Sequence, residues 1–139
     1  MPIEDLARSD VVTAESSASV EELASTMKER DVGSIVITDG NEPTGIVTDR
    51  DLTLRVLAEG TDPSAATAAD VMSTDLCTID RTAGFYQATE LMSENGVRRL
   101  PVRDGDELSG IITADDLTEL LAEEQEQVAE VIRAQRPPY

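Results

Sequence analysis

Two short segments of the chain place a threonine three residues before an aspartate. "GIVTDRDL" contains Thr48 and Asp51, and "GIITADDL" contains Thr113 and Asp116. At the start of a helix this pair can act as a cap, because the hydroxyl accepts a backbone N–H and the carboxylate favours the positive end of the helix. The same groups can instead hold a ligand, with the carboxylate on the two hydroxyls of a ribose and the threonine on ribose or phosphate. The spacing alone leaves both interpretations open.

The elements around these residues bear on both interpretations. Each segment has the pattern of a strand that leads into the N-terminus of a helix, where free backbone N–H groups suit phosphate or hydroxyl binding. Gly45 and Gly110 open the two segments. Because glycine has no side chain, a flat base could approach the backbone closely there.

The two segments belong to an internal repeat. Residues 3–52 align with residues 68–117 at a constant offset of 65 and without a gap. An ungapped register over this length indicates duplication. The identical pairs include Asp10/Asp75, Thr13/Thr78, Met27/Met92, Val32/Val97, Asp39/Asp104, Gly40/Gly105, Gly45/Gly110, Thr48/Thr113 and Asp51/Asp116.

Each copy has the pattern of a β-α-β-β-α unit. An extended stretch precedes a helical pattern, in which Val20, Leu23 and Met27 recur on one face. Two apolar runs of strand length follow, joined by an Asp-Gly turn that is typical of hairpins, and a second helix ends the unit. Pro101 lies inside one of these runs, and it predicts that this strand lies at an edge of its sheet or ends there.

These patterns divide the chain into four parts. We predict a first domain over residues 1–60, a small polar linker over 61–69, a second domain over 70–122 and a C-terminal helical extension over 123–139. The linker is too short to let the two halves separate, and one copy alone could bury little core. We therefore expect the halves to pack together.

The charge of the chain restricts its partners. It carries 29 acidic and 11 basic residues, for a net charge of −18, and Lys28 is its one lysine. Such a field repels nucleic acid and anionic lipid, so we expect neither as a partner. The acidity and the scarcity of lysine favour adaptation to a salt-rich cytoplasm, with an ordinary acidic bacterial protein as the alternative. The cytoplasm is the expected compartment, since the sequence has no signal pattern or membrane-span pattern, and Cys77 has no disulfide partner.

Catalytic constellations are missing from the sequence. The chain has no histidine, which excludes a Ser-His-Asp arrangement and a His-ligated metal site. Cys77 has no second cysteine or histidine for zinc binding or nucleophilic catalysis, and it is expected to be a buried small residue. A metal-assisted enzyme that uses carboxylates alone would need convergent acids that the sequence does not reveal. We therefore expect a protein that is not an enzyme.

The duplicated unit with its two Thr-x-x-Asp segments resembles a tandem pair of cystathionine-β-synthase (CBS) domains. It is most similar to stand-alone two-domain members, because the pair spans nearly the whole chain. The family signature, glycine–hydrophobic–x–Thr/Ser–x–x–Asp, is complete in both copies, and the segment "GVRRLPV" over residues 96–102 is equally typical. The resemblance implies an α/β fold of the α+β type, with two β-α-β-β-α domains related by a pseudo-two-fold axis.

The resemblance also implies a function. CBS pairs are regulatory or sensor modules that bind AMP, ADP, ATP or S-adenosylmethionine in clefts between the two copies, without a required cofactor. Some members bind none, so the alternative is a structural or protein-interaction module. The residues that would contact ligand are Thr48 and Asp51 on one ribose, Thr113 and Asp116 on another, Val12, Thr13, Cys77 and Thr78 beside the adenine, and Arg98, Arg99 and Arg50 near phosphate.

The two copies differ where phosphate would bind. Copy one has Gly33 and Ser34 at the positions of Arg98 and Arg99, so we expect the two clefts to differ. Adjacent arginines are the best local source of positive charge for phosphates on so acidic a chain. The alternative is that both arginines pair with surface carboxylates.

An apolar stripe on the final helices predicts self-association. The stripe of the last helix consists of Leu117, Leu120, Leu121, Val128, Val131 and Ile132, and that of the first copy of Leu54, Val56, Leu57 and Ala58. A stripe this long would leave a large exposed apolar patch. The resemblance implies that such helices meet across a two-fold axis to form a flat disc of four CBS domains. We expect a homodimer that acts on a downstream protein still to be identified, and the alternative is a tail that folds back over its own domain.

Overall fold

The computed structural model describes residues 1–137 and contains two three-stranded sheets, one from each copy of the repeat. The predicted β-α-β-β-α order and the mixed α+β fold class are confirmed. A 3-10 helix, Ile3–Asp5, comes first. The first copy then contains β1 (Thr13–Ala14), α1 (Val20–Arg30), β2 (Ser34–Asp39), β3 (Glu42–Thr48) and α2 (Asp49–Leu52), which continues as a π-helical turn, Thr53–Leu57. The second contains α3 (Ala68–Val71), β4 (Ile79–Asp80), α4 (Phe85–Asn95), β5 (Arg99–Asp104), β6 (Glu107–Thr113) and α5 (Ala114–Gln135).

The long helix of the first copy shows how each core forms. α1 is capped by Ser19, whose hydroxyl accepts the Glu22 N–H at 3.1 Å. The face that it buries packs in one cluster with β2 and β3, as the helical spacing predicts. The members of this cluster on the three elements are Val20, Leu23, Met27, Ile35, Ile37 and Val47.

Both sheets have the same pairing. The middle strand pairs in parallel with the short first strand and antiparallel with the third. The hairpin turns contain Gly40 and Gly105, with φ of 63° and 64°, a left-handed conformation that glycine adopts without strain. The Asp-Gly turns predicted from the sequence are therefore confirmed as hairpins. β3 and β6 end at Thr48 and Thr113, so equivalent sheet edges present the two Thr-x-x-Asp segments.

Pro101 does not mark an edge strand, and that prediction is wrong. β5 lies between β4 and β6 and continues beyond the proline. β4 pairs only with Val102 and Arg103, so Pro101 lies just before the paired stretch. In the first copy the equivalent Val36 donates its N–H to the Val12 carbonyl at 3.0 Å, a bond that a proline cannot make.

The first residues of each copy pack against the other copy. Ile3 is fully buried in the core of the second copy, and Ala68 is fully buried in the core of the first. We call residues 3–8 and 68–73 the crossing segments. Each core is closed by the segment that begins the other copy. The two copies therefore form one folding unit.

The last helix extends beyond the second core. α5 runs without interruption past residue 122, and Leu117 is its buried residue, whereas Val128, Val131 and Ile132 are exposed. The tail therefore does not fold back over its own domain. The predicted extension ends in Pro138 and Tyr139, which lie outside the described residues. The four domain boundaries stay a prediction, and α3 begins inside the predicted linker.

Candidate functional site

Both Thr-x-x-Asp segments form the same capping box. The Thr48 hydroxyl accepts the Asp51 N–H at 3.2 Å, and Oδ2 of Asp51 accepts the Thr48 N–H at 2.9 Å. The corresponding distances for Thr113 and Asp116 are 3.2 and 3.0 Å. The capping interpretation is therefore correct for both segments. It uses one carboxylate oxygen of each aspartate and leaves the other oxygen, Oδ1, for a further contact.

The larger of two clefts between the copies contains the first segment. It has a volume of about 660 Å³, within the range of small-molecule sites. We call it the Asp51 cleft. Its walls include Ile46, Thr48, Arg50 and Asp51 from the first copy, and Cys77, Arg98, Arg99 and Pro101 from the second. The fold thus brings together three carboxylates (Asp49, Asp51 and Asp75), three arginines and apolar surface from segments far apart in sequence.

The smaller cleft contains the second segment and has a volume of about 320 Å³. We call it the Thr113 cleft. Its walls include Val12, Ser34 and Val36 from the first copy, Ile111, Thr113 and Asp115 from the second, and Arg8 from the crossing segment. Arg99 lines both clefts.

Three of the residues predicted for ligand contact do not line either cleft. Thr13 is exposed on β1, and Thr78 lies just before β4. Asp116 is held by Arg8, whose Nη2 lies 2.9 Å from Oδ1. The remaining predicted residues, Val12, Thr48, Arg50, Asp51, Cys77, Arg98, Arg99 and Thr113, line one cleft or both.

The two predicted phosphate-binding arginines differ in their contacts. Arg98 pairs with Asp115 at 3.2 Å, and both side chains are largely exposed. Exposed pairs of this kind are weak, so phosphate could displace the carboxylate at little cost. The Arg99 side chain lies close to Gly33. A Cβ added at Gly33 would lie 3.3 Å from Nη2 of Arg99 and 3.2 Å from Oδ2 of Asp49. The glycine therefore makes room for a guanidinium and a carboxylate at the junction of the two clefts.

The two aspartates of the repeat have different cationic neighbours. Asp116 accepts Arg8 at 2.9 and 3.3 Å, and this hydrogen bond raises the pKa of Arg8 above its usual value. Asp51 has Arg55 Nε at 3.8 Å, beyond hydrogen-bond distance. Arg55 instead donates to the Val71 carbonyl at 2.9 Å, and so connects the first copy to the crossing segment.

Cys77 lies in the wall of the Asp51 cleft. Burial raises the pKa of its thiol above the ordinary value, and the negative charge of Asp75 raises it further. A raised pKa keeps the group protonated near neutral pH, which makes it a poor nucleophile. The side chain is partly buried and packs against the second core, so it is a small residue between that core and the cleft surface.

Sequence reasoning missed Arg8, Ser73 and Asp49. Arg8 lies in a stretch with no helical or strand periodicity, and its contact is with residues more than a hundred positions later. The repeat offered one signal, since Arg8 and Ser73 occupy equivalent positions at the offset of 65.

Residues 1–137 contain no group of three or more potential ligands (histidine, cysteine or acidic side chains) arranged to hold a metal ion. In the same range, none of the helices is both long enough and apolar enough to cross a bilayer.

Comparison with known proteins shows the same repeat. A family model described as "CBS domain" matches residues 3–58 and again residues 68–123. An uncharacterized protein of Methanopyrus kandleri, MK0525, is 37% identical over 118 residues, which are 84% of this chain and 60% of that protein. The CBS domain-containing protein YhcV of Bacillus subtilis is 34% identical over 115 residues, 83% of this chain and 81% of YhcV. The chain thus spans less than two thirds of the first relative and most of the second.

Solved structures share the fold. Hypoxic Response Protein I, with two coordinated zinc ions, superposes with a TM-score of 0.79 at 30% identity, covering 86% of this chain and 98% of that one. A hexameric CBS-CP12 protein from bloom-forming cyanobacteria has a TM-score of 0.77 at 25% identity, with 99% and 87% covered. PAE2072 of Pyrobaculum aerophilum, complexed with AMP, has a TM-score of 0.76 at 24% identity, with 84% and 89% covered. The two matches to the family model, the relatives and the shared fold place this chain in the CBS-domain family, as a tandem pair of CBS domains.

Proposed function

We propose that this CBS pair is a regulatory module that binds an adenosine-containing ligand in the Asp51 cleft. The observation that carries the proposal is the convergence of Asp51 with Arg50, Arg98 and Arg99 in one cavity of about 660 Å³. A carboxylate suits a ribose diol, and arginines suit phosphate. The proposal is one of binding without catalysis.

The cleft offers a place for each part of a nucleotide. Asp51 lines the cleft, and its Oδ1 lies 3.8 Å from Arg55 Nε, too far for a hydrogen bond, so the ribose hydroxyls can donate to that oxygen. Ile46, Leu76 and Val97 are partly exposed and supply apolar surface for a base. The arginines supply the positive charge that phosphates need on a chain of net charge −18.

The comparisons support the proposal in outline. Relatives in the family are CBS-domain proteins, and a structural neighbour is complexed with AMP. That neighbour shares the fold at 24% identity, so the choice of an adenosine ligand rests on the residues of the Asp51 cleft. AMP is the first ligand to test.

Calorimetry tests the proposal directly. The full chain in molar salt is titrated with AMP, ADP, ATP and S-adenosylmethionine, and at least one should bind. Asp51→Ala removes up to two charge-assisted hydrogen bonds of about 1.5–3 kcal/mol each, so affinity should fall at least about tenfold. Absence of binding with all four ligands, or equal affinity in the variant, would contradict the proposal.

A matched control separates ligand contact from helix capping. Thr67 and Asp70 form a third Thr-x-x-Asp pair at the start of a helix, in which the Asp70 carboxylate accepts the Thr67 N–H at 2.9 Å and the Thr67 hydroxyl at 3.2 Å. Neither residue lines the Asp51 cleft. Asp70→Ala should therefore lower stability as Asp51→Ala does, and leave the affinity for ligand unchanged.

We further propose that the chain forms a homodimer through its helical faces. A groove of about 440 Å³ lies beside α1 and α2, and a second of about 360 Å³ lies beside α4 and α5. Leu57 and Leu121 line these grooves and are 78% and 56% exposed in the single chain. A second copy would cover both faces, which explains why so much apolar surface is left open.

A non-binding interaction module is the second candidate function. The exposed apolar residues of the tail, Val128, Val131 and Ile132, favour it, since they lie outside both clefts. Retention of an adenine nucleotide through purification would separate the two candidates, because only the sensor module would retain one.

A further inference from the structure

The Asp116 carboxylate is fully engaged within the chain. Oδ2 accepts the Thr113 N–H at 3.0 Å, and Oδ1 accepts Nη2 and Nε of Arg8 at 2.9 and 3.3 Å. The Asp116 side chain is 11% exposed and the Arg8 side chain is 66% exposed, so water reaches this ion pair from the side of the arginine. A ribose that bound to Asp116 would have to displace the guanidinium first.

The position of Arg8 is fixed by the backbone. Its N–H donates to the Ile111 carbonyl at 2.9 Å, and the Ile111 N–H donates to the Arg8 carbonyl at 2.9 Å. Five residues earlier, the fully buried Ile3 anchors the crossing segment in the second core. The arginine therefore emerges beside Asp116 from a segment tied at two points, although its own side chain is largely exposed.

The first copy has the same backbone arrangement with a different side chain. Ser73, the equivalent of Arg8, makes the paired backbone bonds with Ile46 at 3.0 and 3.1 Å. Its short side chain does not extend over the carboxylate. The volumes of the clefts agree with this difference, at about 660 Å³ beside Ser73 and about 320 Å³ beside Arg8.

We infer that Arg8 closes the Thr113 cleft to nucleotide, so that one chain takes a single adenosine ligand, in the Asp51 cleft. The inference rests on the proposed function and goes beyond it in assigning Arg8 and Ser73 as the residues that decide which cleft binds. Displacing the guanidinium forfeits charge-assisted hydrogen bonds, which weakens binding at Asp116 at least about tenfold relative to an open cleft.

The test counts the binding sites per chain by calorimetry with AMP. The unaltered chain should bind one AMP. Arg8→Ser copies the side chain of the open cleft and should raise the number to two. Ser73→Arg copies the closed cleft and should remove the single site, and it gives an independent result if Arg8→Ser fails to fold.

Two further variants locate the sites. In the double variant Arg8→Ser with Asp51→Ala, the one remaining AMP should bind in the Thr113 cleft. Arg133→Ser removes a tail arginine that pairs with Glu126, changes net charge by the same amount as Arg8→Ser, and should leave one site. Circular dichroism confirms the fold of each variant.

The outcomes distinguish this inference from the proposed function. Two AMP per unaltered chain would overturn the inference and leave the function intact. One AMP in both the unaltered chain and a folded Arg8→Ser variant would also overturn it, because Arg8 would not be the barrier. If none of AMP, ADP, ATP and S-adenosylmethionine binds to either protein, the proposed function is overturned, and the inference with it; if one of the other three binds in place of AMP, the sites are counted with that ligand.

Discussion

The backbone carbonyl oxygen of Arg8 lies 2.8 Å from the position that a Cβ would take at Gly110. Real Cβ atoms do not tolerate so short a contact, and a backbone atom cannot rotate away. We therefore expect Gly110→Ala to destabilise the fold by about 1–3 kcal/mol, as overpacking does elsewhere. Urea unfolding followed by circular dichroism measures the change.

Two other glycines provide the comparison. At Gly45 an added Cβ would lie 2.8 Å from Met72 Sδ, which can move, and 3.0 Å from the Ser73 carbonyl. Gly45→Ala should therefore cost less than Gly110→Ala. Gly84 caps α4 and has no atom within 4 Å of an added Cβ, so Gly84→Ser should be neutral or stabilising. Equal stability of all three variants would contradict the crossing-segment contacts.

Salt should stabilise the protein. At a net charge of −18 the folded chain repels itself, and screening relieves that repulsion as salt rises from low to molar concentration. We expect the Tm to rise across this range. A variant with Glu123 and Glu124 both changed to Gln, on the exposed part of α5, should show a smaller rise. A Tm that stays flat or falls would remove the argument for adaptation to a salt-rich cytoplasm.

The thiol of Cys77 should react slowly at neutral pH. Burial and the Asp75 charge raise its pKa, so the reactive thiolate is scarcer than for a free cysteine. Alkylation by iodoacetamide should therefore accelerate as pH rises towards that raised pKa. Because Cys77 lines the Asp51 cleft, saturating AMP should slow the reaction further. The chain unfolded in urea supplies the rate of an ordinary thiol, and an equal rate in the folded chain would contradict the prediction.

Charge placed on the helical face should separate the dimer. Leu57→Glu puts a carboxylate on a side chain that is exposed in the single chain, so the fold should persist while a covered interface would not. Light scattering at micromolar concentration should show a dimer for the unaltered chain and a monomer for the variant. Ala69→Glu lies on α3, lines neither groove, and should remain a dimer. If light scattering gives the unaltered chain the mass of a 14.9 kDa monomer, the proposed homodimer is contradicted.

The features that could be predicted from the sequence are those with a local signal. The helical faces of α1 and α4, the Asp-Gly turns and the capping boxes all depend on residues within a few positions of each other. The predicted cleft residues Cys77 and Arg99 rested on the family resemblance, and Arg50 on its place inside the first Thr-x-x-Asp segment; all three line the same cleft as Asp51.

The features that escaped prediction depend on distant partners. Ile3 and Ala68 give no periodic pattern, since each belongs to a short segment whose partners lie in the other copy. The Arg8 contact with Asp116 spans 108 positions, so no local rule could pair the two. Pro101 was misread for a related reason, because the length of β4, and not the proline, decides which backbone groups of β5 are paired.

The crossing segments determine how the chain can be divided. A cut between residues 61 and 66 would give two fragments, each lacking the segment that closes its core and carrying the segment that closes the other's. Neither fragment should fold alone, but the two should assemble when mixed. A single repeat could in turn complete its core only by exchanging that segment with a second repeat. We therefore expect two repeats to be the smallest unit that folds.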